Sequence, residues 1–344
     1  GTEWGLNRFD GCSFRSYKTH SLGGNTVSSN GINKILCDKE KNVLWIATKS
    51  GGLNKFDCST QQFIHYPVVS GVPNSTQSKG ITDLCLATDG NLWIATYQDG
   101  IKKLDRETDR IRHLSALDIP LLRDYKIWCV ADDGKGNLYI GYLDKGLAVF
   151  SVKDRSIKHY MYNPHNPNGL PDNEVLDLCV DSQGNVWLGT HTGLVLYRPD
   201  TERFTVFRQE PGNPDGLVDD DVHSVEEIDH TLWIGTWSGG VSLLDLGEKT
   251  YVPGKVRFQS IRPNDFPTGL SIPSVVETFQ DSFGNIWMGT YGGGINFIGH
   301  KSSFFNTFSY SPLKGDENGL SGKSATSICY DRENRLWVGT GNEG

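Results

Sequence analysis

The five residues Leu92-Trp93-Ile94-Ala95-Thr96 decide the fold, because close copies of this stretch recur along the chain. Each copy reads apolar, aromatic, apolar and small, mostly followed by Thr, and the copies occupy residues 44–48, 92–96, 138–142, 186–190, 232–236, 286–290 and 336–340. The aromatic residues of successive copies lie 46 to 54 positions apart. A sustained period of this length is typical of an architecture built from repeated supersecondary units.

Each copy lies within a longer unit of four predicted strands, which we name A to D in chain order. Strand B is the aromatic stretch, and strand A before it is almost continuously apolar, as in residues 175–181, Val-Leu-Asp-Leu-Cys-Val-Asp. Strand C reads Gly-Leu-Asn-Lys-Phe-Asp in residues 52–57, and strand D alternates apolar and polar residues, as in residues 63–66. Tight A–B turns such as residues 89–91, Asp-Gly-Asn, contain a Gly that supplies the positive φ of a hairpin turn.

These units predict a closed ring of sheets. A lone four-stranded sheet cannot bury both of its apolar faces, whereas radial stacking of several sheets buries them all. We therefore predict an all-β, seven-bladed β-propeller of four-stranded antiparallel blades that occupies residues 1–344 as a single domain. Residues 1–17 supply strands C and D of one unit and residues 325–340 supply its strands A and B, so strands from both termini are expected to close the ring. The abrupt start suggests an excised part of a longer multi-domain protein.

Composition and charge exclude several classes of function. The 344 residues carry a net charge of −8, and 37% of them are hydrophobic, which fits a globular protein. A nucleic-acid-binding domain usually carries a basic patch, and the sequence shows no Lys/Arg cluster, so we expect no nucleic-acid partner. No apolar run approaches the roughly 20 residues that span a bilayer, so we expect no direct membrane contact by this chain.

The repeat also resembles a known family. Residues 90–96, Gly-Asn-Leu-Trp-Ile-Ala-Thr, together with residues 52–57, resemble the two-component regulator propeller repeat family, as does the linker in residues 163–170, Asn-Pro-His-Asn-Pro-Asn-Gly-Leu. The resemblance covers essentially the whole chain. It implies the periplasmic sensor of a hybrid two-component system histidine kinase, an extracytoplasmic part of an inner-membrane protein, that responds to oligosaccharides from polysaccharide breakdown. It also implies a second propeller and a β-sandwich of the same parent chain as partners, and a homodimer in the full receptor.

The recurring tryptophans and the cysteines are expected to be structural. Tryptophans at a fixed repeat position should pack between blades, namely Trp45, Trp93, Trp187, Trp233, Trp287 and Trp337. An odd count of seven cysteines argues against a complete disulfide framework. Four of them are expected to occupy one equivalent position of strand A, as small buried apolar groups that remain reduced: Cys85, Cys129, Cys179 and Cys329. The prediction for Cys129 assumes that its A–B turn is two residues longer than the others.

The loops after strand B are the candidate ligand-binding residues, because their identities differ between copies and are not required by the fold. In a propeller the B–C and D–A loops surround one end of the central channel. Aromatic rings with amide and carboxylate partners suit sugars, which stack on rings and form hydrogen bonds at their rims. The alternative is that these rings pack against a neighbouring domain. The candidates are Trp4, Tyr97, Asp99, Asp144, His191, Trp237 and Tyr291.

The sequence shows no catalytic motif, so we predict a protein without catalytic residues, a resident metal or a cofactor. The nine histidines include no His-x-x-x-His pair, and a Ser/His/Asp elbow and a phosphate loop are both missing. Acidic runs in residues 172–174 and 219–221 could bind calcium, although solvated acidic loops are common. Two other functions remain open: a propeller-class polysaccharide lyase or glycoside hydrolase, and a pure protein-interaction scaffold.

Overall fold

Short antiparallel strands make up almost all of the described chain. The computed structural model describes residues 2, 5–11, 13–19, 25–66, 68–69, 75–114, 119–122, 125–247, 251–263, 269–300, 305–308, 320, 324–333 and 335–341. Within these residues there are 28 strands and one short 3₁₀ turn, Pro120–Leu122. The fold is therefore all-β, as predicted.

The strands form seven four-stranded antiparallel blades in the described part of the chain. The first three blades comprise β3 (Ile32–Asp38), β4 (Val43–Thr48), β5 (Leu53–Asp57) and β6 (Gln62–His65); β7 (Ile81–Leu86), β8 (Asn91–Thr96), β9 (Ile101–Asp105) and β10 (Arg110–His113); and β11 (Ile127–Asp132), β12 (Asn137–Tyr142), β13 (Leu147–Ser151) and β14 (Ser156–Tyr160). The next three comprise β15 (Asp177–Val180), β16 (Val186–Thr190), β17 (Gly193–Arg198) and β18 (Arg203–Phe207); β19 (Val222–Ile228), β20 (Thr231–Thr236), β21 (Val241–Asp245) and β22 (Gln259–Ile261); and β23 (Val275–Gln280), β24 (Ile286–Thr290), β25 (Gly294–Ile298) and β26 (Phe305–Phe308). The seventh combines β27 (Ser324–Tyr330) and β28 (Leu336–Gly341) with β1 (Leu6–Phe9) and β2 (Phe14–Tyr17).

Strands from both ends of the sequence close the ring, which confirms the predicted arrangement. β1 pairs antiparallel with β28, in the register Leu6 with Gly339 through Phe9 with Leu336. Each A strand contacts the A strands of the two neighbouring blades, and β27 contacts β3, so the seven A strands form a continuous inner ring. The junction between the seventh and first blades is well packed, since Phe56 lies 4.9 Å from Trp337, ring centroid to ring centroid.

Two residues of the strand-B motif have clear structural roles. The terminal Thr is buried, and its hydroxyl donates a hydrogen bond to the carbonyl oxygen of a Gly three or four residues later, as in Thr236 to Gly240 at 2.9 Å and Thr290 to Gly294 at 2.8 Å. This bond closes the B–C loop without using the side chains in between. The small residue before Thr faces the next blade: a Cβ added at Gly189 would lie 2.7 Å from the carbonyl oxygen of Val222. The motif therefore sets blade packing and leaves the loop residues free to vary.

The motif tryptophans are packed between blades and are held by the A–B turn. Five of them are at most 3% exposed, and Trp233 is only partly buried. The indole N–H of Trp187 donates to Asp181 Oδ2 at 2.8 Å, while Asp181 Oδ1 accepts the backbone N–H groups of Gln183 and Asn185. The same arrangement recurs around Asp281 and Asp331. One Asp side chain thus accepts hydrogen bonds from the backbone of the turn and from the buried indole, which explains why this Asp stands six residues before its Trp in these three blades.

The cysteine prediction is correct for three positions and wrong for Cys129. In the register, Cys85, Cys179 and Cys329 each face the motif Trp of strand B, whereas Cys129 faces Gly141. The A–B connection of the third blade has the same length as that of the second, so the longer spacing places Cys129 two residues earlier in its strand. Cys129 and Cys329 are 3% exposed, and Cys179 is 8% exposed, but Cys85 is only partly buried. All four are free thiols.

Candidate functional site

In six of the seven blades, a β-bulge near the start of the A strand directs one side chain toward the opening of the central channel. The register between strands A and B shifts at this point in six blades, and the extra residue of each shift is Asn33, Thr82, Trp128, His223, Val276 or Thr326. In the fourth blade, Leu176 directly precedes β15 and takes the same position. We call these seven residues the bulge ring. Bulges commonly redirect side chains at the rims of barrels and beside functional sites.

All members of the bulge ring line one cavity of about 330 Å³ at the end of the channel. A second cavity of about 1060 Å³ shares Asn33, Thr82, Trp128, Leu176 and His223 with the first, so the two are continuous. The second cavity extends over the B–C and D–A loops of the first four blades and reaches Tyr97 and Glu174. We call the combined space the channel mouth. Its volume falls at or above the upper end of the range typical of small-molecule sites.

The richest part of the channel mouth is an aromatic group between the fifth and sixth blades. Trp237 lies between His223 and Tyr291, with ring centroids 4.9 Å and 5.1 Å away. The backbone of Trp237 is held on both sides, because its N–H donates to the carbonyl oxygen of Asp221 and its carbonyl oxygen accepts a bond from the Ser274 hydroxyl. Even so, Trp237 remains 37% exposed and Tyr291 45% exposed. The two rings form a fixed platform that faces solvent.

A polar cluster adjoins this platform. The Nδ1 atom of His191 lies 2.7 Å from Asp221 Oδ1, and its Nε2 atom lies 3.1 Å from Glu174 Oε2. On the other side of Asp221 Oδ1, the Nε2 atom of His223 lies 3.0 Å away. Burial disfavours the imidazolium form of both rings, but the bond to Asp221 and the nearby acidic charges outweigh burial at His191 and raise its pKa. At His223 burial dominates and lowers the pKa, so the His223 ring is held neutral.

Tyr97 and Asp99 lie on the opposite side of the mouth. Both line the larger cavity. The ammonium of Lys126 lies 5.5 Å from the centroid of the Tyr97 ring, and Asp99 pairs with Lys102 at 2.9 Å. A cation held over one face of Tyr97 fixes the ring while its edge stays accessible. This side is therefore a smaller copy of the aromatic and polar combination seen around Trp237.

The structure brings together most of the candidates proposed from the sequence, but not all. Tyr97, Asp99 and His191 line the larger cavity, and Trp237 and Tyr291 line the smaller one. Asp144 is exposed and belongs to the lining of neither cavity. Trp4 lies outside the described residues.

The acidic runs proposed as calcium ligands are engaged by protein donors. Asp219 Oδ2 accepts both the N–H and the hydroxyl of Ser238, at 2.8 Å and 2.7 Å. Asp172 accepts the N–H of Glu174 at 3.1 Å. These bonds order the loops that carry Asp221 and Glu174, so the acidic runs have a structural role in presenting the polar cluster.

Sequence reasoning missed Trp128 and His223, both members of the bulge ring. Trp128 is 38% exposed and lines both cavities. One signal was available, because Trp128 is a Trp outside the repeated strand-B position and stands where other blades carry Asn33, Thr82 or Thr326. The bulge itself leaves no signature in an apolar strand, so the direction of the side chain was not predictable.

A charged layer lies directly beneath the bulge ring. Lys34 Nζ lies 3.0 Å from Glu277 Oε1, and both line a narrow space of about 100 Å³ together with Asp83, Asp177 and Glu226. Burial disfavours the ammonium, but Glu277, Asp83 and Asp177 outweigh it and raise the pKa of Lys34 well above its usual value. Burial raises the pKa of Asp177 to about 8 and that of Glu226 to about 7, although Lys34 opposes both shifts. The layer is thus a charge cluster with more acids than bases, in which two carboxyl groups hold protons near neutral pH.

Comparisons with known proteins agree with this architecture. The family model described as "two component regulator propeller" matches residues 76–98, 169–192 and 319–342. The extracellular domain of a putative hybrid two-component system from B. thetaiotaomicron is 33% identical, with a TM-score of 0.74 and an alignment that covers 98% of this chain and 42% of that one. A histidine kinase of Formosa agariphila is 26% identical over 179 residues, which are 50% of this chain and 12% of the kinase. The chain therefore spans less than half the length of these relatives.

A more distant structure shares only the fold. Virginiamycin B lyase from Staphylococcus aureus is 12% identical, with a TM-score of 0.60 and an alignment over 90% of this chain and 94% of the lyase. Within the described residues, no helix is long and apolar enough to cross a membrane. The repeat matches, the relative at 33% identity and the seven-bladed ring point to one conclusion. Three segments of this chain therefore match the two-component regulator propeller repeat, and the chain is similar to the extracellular domain of a hybrid two-component system.

Proposed function

We propose that this propeller is the extracytoplasmic, periplasmic ligand-recognition domain of a hybrid two-component system histidine kinase, and that it binds an oligosaccharide at the channel mouth. The observation that carries the proposal is the exposed Trp237–Tyr291 platform, fixed by backbone bonds at the edge of a large polar cavity. Neighbouring exposed aromatic rings at the edge of a polar cavity are typical of ligand-binding grooves and interaction sites.

The chemistry of the mouth suits a sugar better than a purely apolar ligand. Each pyranose ring has an apolar C–H face that stacks on an aromatic ring and a rim of hydroxyl groups that need hydrogen-bond partners. Trp128, Trp237 and Tyr291 offer faces or edges, and Asn33 and Gln98 offer planar amides in the same continuous space. The breadth of the space fits an oligosaccharide that contacts several blades.

Signalling requires partners that this chain does not contain. We propose that a second propeller and a β-sandwich of the parent chain continue from this domain, and that the full receptor acts as a homodimer. The support is the relatives, which are a histidine kinase and an extracellular domain more than twice as long as this chain. Ligand at the mouth would then change the contact between domains, and the propeller itself would perform no chemistry.

A second candidate is a propeller-class lyase or hydrolase. The specific observation in its favour is the polar cluster, in which His191 is bonded to Asp221 and lies beside Glu174, as a general base and its orienting carboxylate would. The third candidate, a pure interaction scaffold, would use the Trp237 platform as a protein contact.

A binding and turnover screen separates the three. The purified chain is tested against a panel of oligosaccharides by calorimetry and by thermal shift, since a ligand of the folded state must raise the melting temperature. We expect saturable binding of at least one oligosaccharide without conversion. Product formation that is lost in His191→Ala would replace the proposal with the lyase or hydrolase. Absence of binding across the panel, with capture of the parent chain's other domains through Trp237, would replace it with the scaffold.

A further inference from the structure

We infer that His191, Asp221 and His223 form a binding site for a divalent transition cation of the Zn²⁺ type at the edge of the channel mouth. The three side chains come from two neighbouring blades: His191 follows β16, whereas Asp221 and His223 flank the first residue of β19. Their ligand atoms all lie within 4.8 Å of one another. The inference is independent of the proposed sugar ligand.

The distances suit a metal centre with little rearrangement. Asp221 Oδ1 lies between His191 Nδ1, at 2.7 Å, and His223 Nε2, at 3.0 Å. Ligand atoms of a tetrahedral zinc site with bonds of about 2.0–2.1 Å lie about 3.3 Å apart. The His191 contact must therefore lengthen by about half an ångström, which a partly exposed loop side chain can accommodate by a small rotation.

The Nε2 atom of His223 points to a missing ligand. It is buried, lies 3.0 Å from Asp221 Oδ1, and makes no hydrogen bond of regular geometry within the described part of the chain. A buried polar atom without a partner destabilises the folded state, so such atoms in folded proteins call for an explanation. A metal ion between His223 Nε2 and Asp221 Oδ1 would satisfy both atoms at once.

Glu174 supplies the outer support that metal-binding histidines usually have. When His191 binds through Nδ1, its Nε2–H can donate to Glu174 Oε2 at 3.1 Å. Such carboxylate–histidine–metal arrangements fix the ring tautomer and orientation, and their loss typically weakens metal affinity about 10–100-fold. No metal-binding sequence motif indicates the site, because His191 lies on a different blade from Asp221 and His223.

The donor set selects the class of cation. Two imidazole nitrogens and one carboxylate oxygen favour Zn²⁺, Co²⁺ or Ni²⁺ over Ca²⁺ and Mg²⁺, which prefer all-oxygen ligands. Three protein ligands leave at least one coordination position open, as in zinc sites that bind an exogenous group. Because His223 lines both cavities, that open position would face the channel mouth.

Titration of the chelator-treated chain with Zn²⁺ and Co²⁺ tests the inference. We expect one equivalent of Zn²⁺ to bind by calorimetry, and Co²⁺ to give visible d–d absorption that Zn²⁺ abolishes. His191→Ala, Asp221→Asn and His223→Ala should each remove this saturable site, and Glu174→Gln should weaken it about 10–100-fold. His165→Ala is the matched control, because His165 is exposed and lines neither cavity, and it should leave binding unchanged.

The outcomes that overturn the inference are equally definite. If the unsubstituted protein does not bind Zn²⁺, or if His191→Ala still binds it, this site is excluded. Binding of Ca²⁺ as tight as that of Zn²⁺ would exclude the assigned class of cation. His191 is a surface side chain with 42% exposure, so its substitution keeps the test valid even if His223→Ala proves unstable.

Discussion

The charged layer beneath the bulge ring predicts that the propeller becomes less stable as the pH rises from 5 to 8. Asp177 has an ordinary pKa of 3.8 and a folded-state pKa of about 8, because burial penalises its carboxylate form. The charged groups that face it are Lys34 on β3, Asp83 on β7 and Glu277 on β23. Between the two pKa values the folded state binds more protons than the unfolded state. The contribution of Asp177 to the free energy of unfolding is therefore fully present below pH 3.8 and is lost as the pH rises through 8.

The size of the effect follows from the shift. Three pH units between 5 and 8 at about 1.4 kcal/mol per unit give about 4 kcal/mol for a fully buried group. Asp177 keeps some exposure to the channel, where water screens its charge, so we expect about half of this, ~2 kcal/mol. Asp177→Asn mimics the neutral acid and keeps one oxygen acceptor for the backbone N–H of Val225, but it loses the second acceptor, which serves the backbone N–H of Leu178.

Urea unfolding of both proteins at pH 5 and pH 8 measures the effect. The loss of the Leu178 acceptor costs a similar amount at both pH values, so the stability of Asp177→Asn relative to the unsubstituted protein should rise by about 2 kcal/mol between pH 5 and pH 8. Comparison of the two proteins cancels the contributions of all other titrating groups that do not interact with Asp177. The exposed Asp200→Asn serves as the control for the same chemical substitution outside the charged layer. An equal effect of Asp177→Asn at both pH values, or a larger loss at pH 8, would refute the assignment of a proton to Asp177.

Three further predictions concern the platform, the thiols and the A–B turns. The double substitution Trp237→Ala with Tyr291→Ala should weaken oligosaccharide binding at least several-fold by calorimetry, at about 1 kcal/mol per lost ring, and should leave the melting temperature nearly unchanged. Phe283→Ala is the control and should bind like the unsubstituted protein, because Phe283 is exposed in an A–B turn. In a Cys12→Ser background, a thiol reagent should modify Cys37 first, because hydrogen bonding with Cys329 lowers the pKa of Cys37, whereas burial raises the pKa of Cys85 to about 12. Mass spectrometry follows the labelling, and fast modification of Cys129, Cys179 or Cys329 would contradict their burial. Asp181→Ala should cost about 1–3 kcal/mol in urea unfolding, because the indole N–H of Trp187 loses its acceptor in the core, and a cost no larger than that of the exposed Asp200→Ala would show that this bond is dispensable.

The fold was predictable because its determinants are periodic and local. The aromatic residue of strand B recurs in seven copies, and the Thr that closes the next loop recurs in six of them. In three blades the Asp that holds the indole stands six residues before its Trp. Cys129 shows the limit of counting along the chain. Its longer spacing to Tyr139 fitted either a longer turn or an earlier strand position, and only the pairing with Gly141 distinguishes the two.

The site was predictable only where it lies on loops. Trp237 and Tyr291 follow the Thr of strand B, and the Thr–Gly bond that closes this loop makes their exposure predictable from the repeat. Trp128 and His223 lie within strands, where alternation would assign each residue to one face of a blade. The bulge breaks that alternation through backbone geometry, which depends on how the A strands pack around the ring and not on any single residue type.

The bulge ring separates the residues that vary between blades from the residues that pack the blades together. Below the ring, the A strands pair with strand B in a constant register, and the residues that face the motif Trp are largely apolar or Cys. Within the ring the identities change from Asn33 to Trp128 to His223. The polar members Asn33, Thr82 and Thr326 each donate a side-chain hydrogen bond to the carbonyl oxygen of the first residue of the next A strand. A ligand that covers the mouth would touch A strands of several blades at once, and those strands form the closed inner ring. Binding there would therefore stabilise the arrangement of blades relative to one another, which is the kind of change that a domain attached to the outside of the ring can detect.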